Sequence, residues 1–144
     1  MSGIVVGVDG SPNADSALRW AMSEAVLRKS SLTVLAVHEV PAGYWTGQPV
    51  PVVGDEALVA EMRKATEHSV EEAAAATGAR PDPVTVVAIS GFPARALIDA
   101  SRQADLVVVG ARGGGGFSAL VLGSVSTQVM HHAYCPVVVV RADQ

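Results

Sequence analysis

Short valine-rich runs alternate along this chain with stretches whose apolar residues recur at helical spacing. Gly3 to Asp9 (GIVVGVD) is the first such run, the signature of a buried strand. Ser11-Pro12 then offers a cap and a first helical residue. From there Ala14, Ala17, Leu18, Ala21, Ala25 and Val26 keep helical spacing to about Lys29. Ser31 to His38 predicts a second strand. Pro41 to Gly54, with three Pro, three Gly, Tyr44 and Trp45, predicts a long loop. A helix follows over Asp55 to Thr77, with Leu58, Met62, Ala65, Ser69 and Ala73 on its inner face and Gly78 ending it.

The second half repeats the alternation. Val84 to Ile89 is a strand, and Pro93 to Gln103 a helix with Ala94, Leu97, Ile98 and Ser101 on one side. Asp105 to Gly110 is a strand, and a glycine-rich stretch from Gly110 to Gly123 leads into a helix from Ser124 to about His132. Pro136 to Arg141 is the last strand. Strands alternating with helices imply parallel βαβ units with right-handed crossovers. Strands this uniformly apolar are covered on both faces, which makes a doubly wound α/β domain. One domain is expected across residues 1–144. In such sheets ligands bind outside the carboxyl ends of the strands, where Asp9, Val37 and Gly110 stand.

Composition narrows the chemistry. The formal charge is −4, and the eight Arg and two Lys form no basic run, so a nucleic-acid partner is not expected. Aromatic residues are 4% of the chain, which leaves Val, Ala and Leu to build the core. A lone cysteine, Cys135, permits no intrachain disulfide and is expected to pack rather than react. The N-terminus runs into a strand without a signal-like pattern, and no apolar run reaches membrane-spanning length. No membrane partner is expected, and the location expected is cytoplasmic.

The glycine-rich segment carries the functional signal. Gly110, Gly113, Gly123 and Ser124 form G-x2-G-x9-G-S between a strand and a helix. Glycines let backbone approach a ligand closely, and the free amides of a helix start favour phosphate oxygens. Ser124, Ser126 and Thr127 add hydroxyls there, and Arg112 can add a charge-assisted contact. As a plain strand-to-helix connection, the same stretch would need only Ser124 as a cap. No Lys follows Lys64, so the GxxxxGK[ST] loop is absent, and VDGSPNAD lacks the GxGxxG fingerprint. Asp9 could cap the first helix or hold a ligand. His131, His132 and Cys135 lack convincing metal spacing, and Glu61, Glu67, Glu71 and Glu72 suit a solvated helix face. No metal site is expected.

Four stretches together resemble the universal stress protein family: VDGS (Val8 to Ser11), LTVLAVH (Leu32 to His38), GFPARALIDASRQADLVVVGARG (Gly91 to Gly113) and GSVSTQVMHHAYCPVVVVR (Gly123 to Arg141). The glycine spacing is similar to that of the family's ATP-binding branch. This resemblance implies a three-layer, Rossmann-like fold with a five-stranded parallel sheet of order 3-2-1-4-5, usually dimeric. It implies ATP, with or without Mg2+, across the first strand's end and the glycine loop. Asp9 would then bond the ribose hydroxyls with Gly7 and Val8 beside it, and Val37 backbone would meet the adenine edge. Gly110 and Gly113 would make room for ribose and phosphates, while Gly123, Ser124, Val125 and Ser126 would hold the phosphates. Ala111 departs from a frequent Ser or Thr, and Tyr134 from a frequent Pro.

The implied role is regulatory nucleotide binding in a stress response. A slow ATPase, a binder of AMP or a cyclic nucleotide, and a dimerising scaffold without ligand are the alternatives. A good ATPase needs an acid or water-positioning group near the γ-phosphate, and Gly110 to Ser126 contains no acidic residue. The apolar last strand, if at the sheet edge, needs a partner, and pairing with its own copy would give a homodimer.

Overall fold

The structure, a computed structural model, describes residues 3–39, 44–45, 48–49, 56–111 and 123–142. Its main sheet is built from β1 (Ile4–Val8), β2 (Leu32–Glu39), β5 (Val84–Gly91), β6 (Leu106–Gly110) and β7 (Val137–Val140). All are parallel, in the order β5-β2-β1-β6-β7, which is 3-2-1-4-5 when these five are counted along the chain. The helices are α1 (Pro12–Arg28), α2 (Glu56–Thr77), α3 (Pro93–Ser101) and α4 (Ser124–His132). Within the stretch read as one long loop, β3 (Tyr44–Trp45) pairs antiparallel with β4 (Gln48–Pro49). Pairs this short leave no hydrophobic period to read, so turn residues dominate the sequence there.

Alternation along each strand divides the core into two layers. Ile4, Val6, Leu32, Val34, Leu106 and Val108 face α1 and α2, meeting Leu18, Met22 and Val70. Val5, Leu35, Val107 and Val109 face the other way, onto Leu97 of α3 and Val129 of α4. Period-two side-chain geometry thus feeds both layers from strands that look uniformly apolar. Burial of these side chains is the main stabilising term.

Local signals set most helix ends. Ser11 caps α1: its Oγ accepts the Ala14 amide at 3.2 Å, and Pro12 opens the helix. At the far end Lys29 adopts a left-handed conformation, φ 55°, and its amide bonds Ala25 and Val26 carbonyls. Val26, expected on the buried face, is 43% exposed, while its neighbour Ala25 is fully buried. In α2 the inner face is also displaced from the expected one. Thr66, Val70 and Ala73 are buried, while Leu58 and Ala65 are exposed. Thr66 tolerates this position because its hydroxyl donates to the Met62 carbonyl at 2.8 Å, so no polar group is left unsatisfied.

The two edge strands differ. On β5, the Arg63 guanidinium of α2 donates to the Val86 carbonyl at 2.8 Å. On β7, Val137 to Val140 are all half-buried, packing alternately on the two layers. Among the described residues, no helix is long and apolar enough to cross a membrane.

Candidate functional site

A pocket of about 400 Å3 opens at the carboxyl ends of the central strands, within the usual range for small-ligand sites. β1 contributes Gly7 and Val8, with Asp9 just beyond it; β2 contributes Leu35, Val37 and Glu39. β6 contributes Val109 and Gly110, and Ala14 comes from the first turn of α1. Pro93 and Leu97 of α3 form one wall, and Ser124, Val125 and Ser126 of α4 form another. Six elements therefore meet at the point where strand order reverses, the place a doubly wound sheet leaves open.

Asp9 does not cap α1; Ser11 does. Instead the Asp9 Oδ1 accepts the Ser11 amide at 2.9 Å, closing an Asx turn that holds the carboxylate at the pocket wall. A carboxylate has a second oxygen that can accept. Gly7 and Gly110 are demanded by packing as well as by space for a ligand. A Cβ at Gly7 would lie 2.8 Å from Leu97 Cδ1, so that side chain would have to give way. A Cβ at Gly110 would lie 2.9 Å from the backbone of Asn13, in the first turn of α1.

The start of α4 is anchored to the end of β6. Gly123 donates its amide to the Ala111 carbonyl at 2.8 Å, and the Ser126 hydroxyl donates to the same carbonyl at 3.0 Å. Ser126 is 2% exposed, so its hydroxyl serves the fold rather than the pocket. Gly123 is the N-cap and supplies no capping side chain. The first intrahelical amide bond is from Thr127 to the Gly123 carbonyl at 3.0 Å. Ser124, Val125 and Ser126 thus carry the helix's leading amides, which have no partner within the helix. With the helix dipole they make that wall attractive to an anion.

Of the residues expected from sequence, Gly7, Val8, Asp9, Val37, Gly110, Ser124, Val125 and Ser126 line this pocket. Gly123 stands directly behind it as the cap, while Arg112 and Gly113 lie outside the described residues. Sequence reasoning missed Leu35 and Glu39, although both share the strand period of Val37. It also missed Leu97 as a wall, and Ala111 as the anchor of α4. Ala111 is 5% exposed, and its own amide bonds the Val140 carbonyl at 2.8 Å.

His131 and His132 are exposed at the end of α4, away from the pocket lining. Cys135 is half-buried against the second core layer, its thiol 3.4 Å from the Pro136 carbonyl. Among the described residues no group of three or more His, Cys, Asp or Glu is placed to hold a metal ion.

The universal stress protein family matches residues 1–141 of the chain. A universal stress protein of Mycolicibacterium smegmatis is 38% identical over 142 residues, which cover 98% of this chain and 48% of that protein. One from Mycobacterium tuberculosis is 34% identical over 146 residues, again covering 98% and 48%. The chain therefore spans about half the length of the curated relatives it matches. Among solved structures, a universal stress protein of Lactobacillus plantarum superposes with a TM-score of 0.72 at 24% identity, covering 97% of each chain. One from Archaeoglobus fulgidus, in complex with dAMP, gives 0.61 at 26% identity, covering 97% of this chain and 98% of that one.

Proposed function

The chain belongs to the universal stress protein family, and we propose that it is a single nucleotide-binding domain that takes an adenine nucleotide, ATP foremost, in the pocket described above. Its role in this reading is regulatory, a sensor in a stress response rather than a fast enzyme. One observation carries the reading: the order of chemistry across the sheet edge. Val37 lies two residues before the end of β2, Asp9 follows β1 next to it, and Gly110 on the far side of β1 leads toward the amides of α4. Two strand spacings separate β2 from β6, about 10 Å, which suits a base, a ribose and a phosphate laid side by side.

In this arrangement the adenine edge meets the Val37 backbone, and the base lies against the apolar wall of Leu35 and Leu97. Asp9 accepts from the ribose hydroxyls through the oxygen that the Asx turn does not use. The leading amides of Ser124, Val125 and Ser126 receive phosphate oxygens, with the Ser124 hydroxyl beside them. Arg112 and Gly113 complete the set. Those amides donate and cannot ligate a cation, so any Mg2+ would be held through the phosphate oxygens of ATP. Binding of dAMP by the Archaeoglobus relative supports the adenine assignment.

Calorimetric titration with ATP, AMP and cyclic AMP tests the reading. The chain should bind, and Gly123→Val combined with Ser124→Ala should abolish binding without changing the circular dichroism spectrum. Wild-type affinity in that double variant would place the phosphates elsewhere.

The same reading includes a homodimer through β7. Four half-buried valines at an edge invite strand pairing, whereas Arg63 meets the backbone of the opposite edge. Light scattering should give twice the chain mass, and Val139→Lys should reduce it to one. A wild-type chain that stays monomeric at micromolar concentration would remove the dimer from the proposal.

A further inference from the structure

We propose that Glu39 selects the base, its carboxylate accepting a hydrogen bond from the exocyclic amine of adenine. This rests on the adenine-nucleotide reading and adds to it a specificity residue. Leu35, Val37 and Glu39 alternate along β2 and so project to one face, and all three line the pocket. Along that face burial falls from Leu35, 6% exposed, to Glu39 at the open rim. The strand thus offers two apolar side chains and then an acceptor, the sequence that a flat base with a polar edge requires.

Neighbouring strands leave Glu39 room to do this. Its partner on β5 is Gly91, which has no side chain to compete for the space. On the other side β1 pairs with β2 only as far as Val8 and Ala36, three residues short of Glu39. Asp9, the other acid lining the pocket, lies beside β1, between Glu39 and the α4 amides. With the phosphates drawn to α4 and the sugar at Asp9, the end of the ligand facing Glu39 is the base.

An ionised carboxylate accepts hydrogen bonds and donates none. Adenine presents an amine at its 6-position, hypoxanthine a carbonyl that would face Glu39 lone pair to lone pair. A site built around a substrate N–H discriminates against the analogue that lacks it. The test compares ATP with purine riboside triphosphate, which lacks only the amine, and with ITP.

Wild-type protein should bind ATP about tenfold more tightly than the amine-free analogue, the scale of one hydrogen bond to a charged group. Glu39→Ala should bring that ratio close to one while ATP still binds through the phosphate wall. Glu39→Gln, whose amide can also donate, should narrow the gap between ATP and ITP. A ratio left unchanged in Glu39→Ala overturns the assignment while leaving nucleotide binding intact. A wild-type chain that binds none of the three overturns the nucleotide reading itself, and this inference with it.

Discussion

Gly110 closes β6 directly against Asn13: a Cβ at Gly110 would fall 2.9 Å from the Asn13 carbonyl carbon, carbonyl oxygen and Cβ. Backbone atoms of a helix start cannot step aside as a side chain can. Gly110→Ala should therefore cost about 3 kcal/mol, at the upper end for overpacking. Gly7→Ala meets only the end of the Leu97 side chain and should cost about 1 kcal/mol. Urea unfolding of the two variants gives the comparison. Equal losses would mean that α1 can shift away from β6.

The bare cap of α4 separates stability from binding. Gly123→Asp supplies a side-chain acceptor and a negative charge at the helix start, worth about 0.5 kcal/mol to the fold. That same charge would occupy the ground proposed for phosphate. The variant should melt slightly higher than wild type and yet lose ATP binding in calorimetry. Retained affinity would show that anions do not use this helix end.

Lys29 holds a left-handed conformation that favours glycine, φ 55°, at a cost of roughly 1 kcal/mol for a side-chain-bearing residue. Part of any gain from glycine is returned to the freer unfolded chain. Lys29→Gly should therefore stabilise by about 0.5 kcal/mol, read as a rise in thermal midpoint. A fall would show that the lysine makes a compensating contact.

Burial lifts the Cys135 thiol above its ordinary value; a backbone hydrogen bond at Val107 works against this, and the charge of Asp105 adds to it. The folded chain then keeps this proton over a pH range in which the unfolded chain has lost it. Stability from this group is present below the ordinary thiol value and declines as pH climbs past it toward the folded value. Cys135→Ser should flatten that alkaline decline in denaturation midpoints. Iodoacetamide should also react more slowly with the folded protein than with the same chain in denaturant.

Most of the architecture was legible because each helix and each strand of the main sheet carries its own period. Valine-rich runs marked the five parallel strands, and Ser11-Pro12 marked the start of α1. The inner face of α2 lies one residue round from the expected Ala65 and Ser69, at Thr66 and Val70, and the bond of Thr66 to Met62 reveals why that polar residue can be buried. At the pocket, Asp9, Gly110 and the α4 start were legible as motifs, whereas Glu39 carries no motif. Its place follows from register: it lies two residues beyond Val37 on the same strand face. The hydroxyl of Ser126 shows the opposite failure, a good phosphate-binding residue type whose polar atom the fold turns inward. Tyr134, where proline is frequent in the family, donates its amide to Ser101 Oγ at 2.9 Å, a bond proline could not make.

If the proposed pairing holds, the unequal rims of the sheet bear on how large an assembly can grow. Chains joined valine edge to valine edge about a two-fold axis would each turn outward a rim already engaged by an arginine. A further chain adding to that outward rim would have to displace the bond from Arg63 to the Val86 carbonyl. Growth past a closed pair would then cost that contact, so raising the concentration should favour more pairs over fibres.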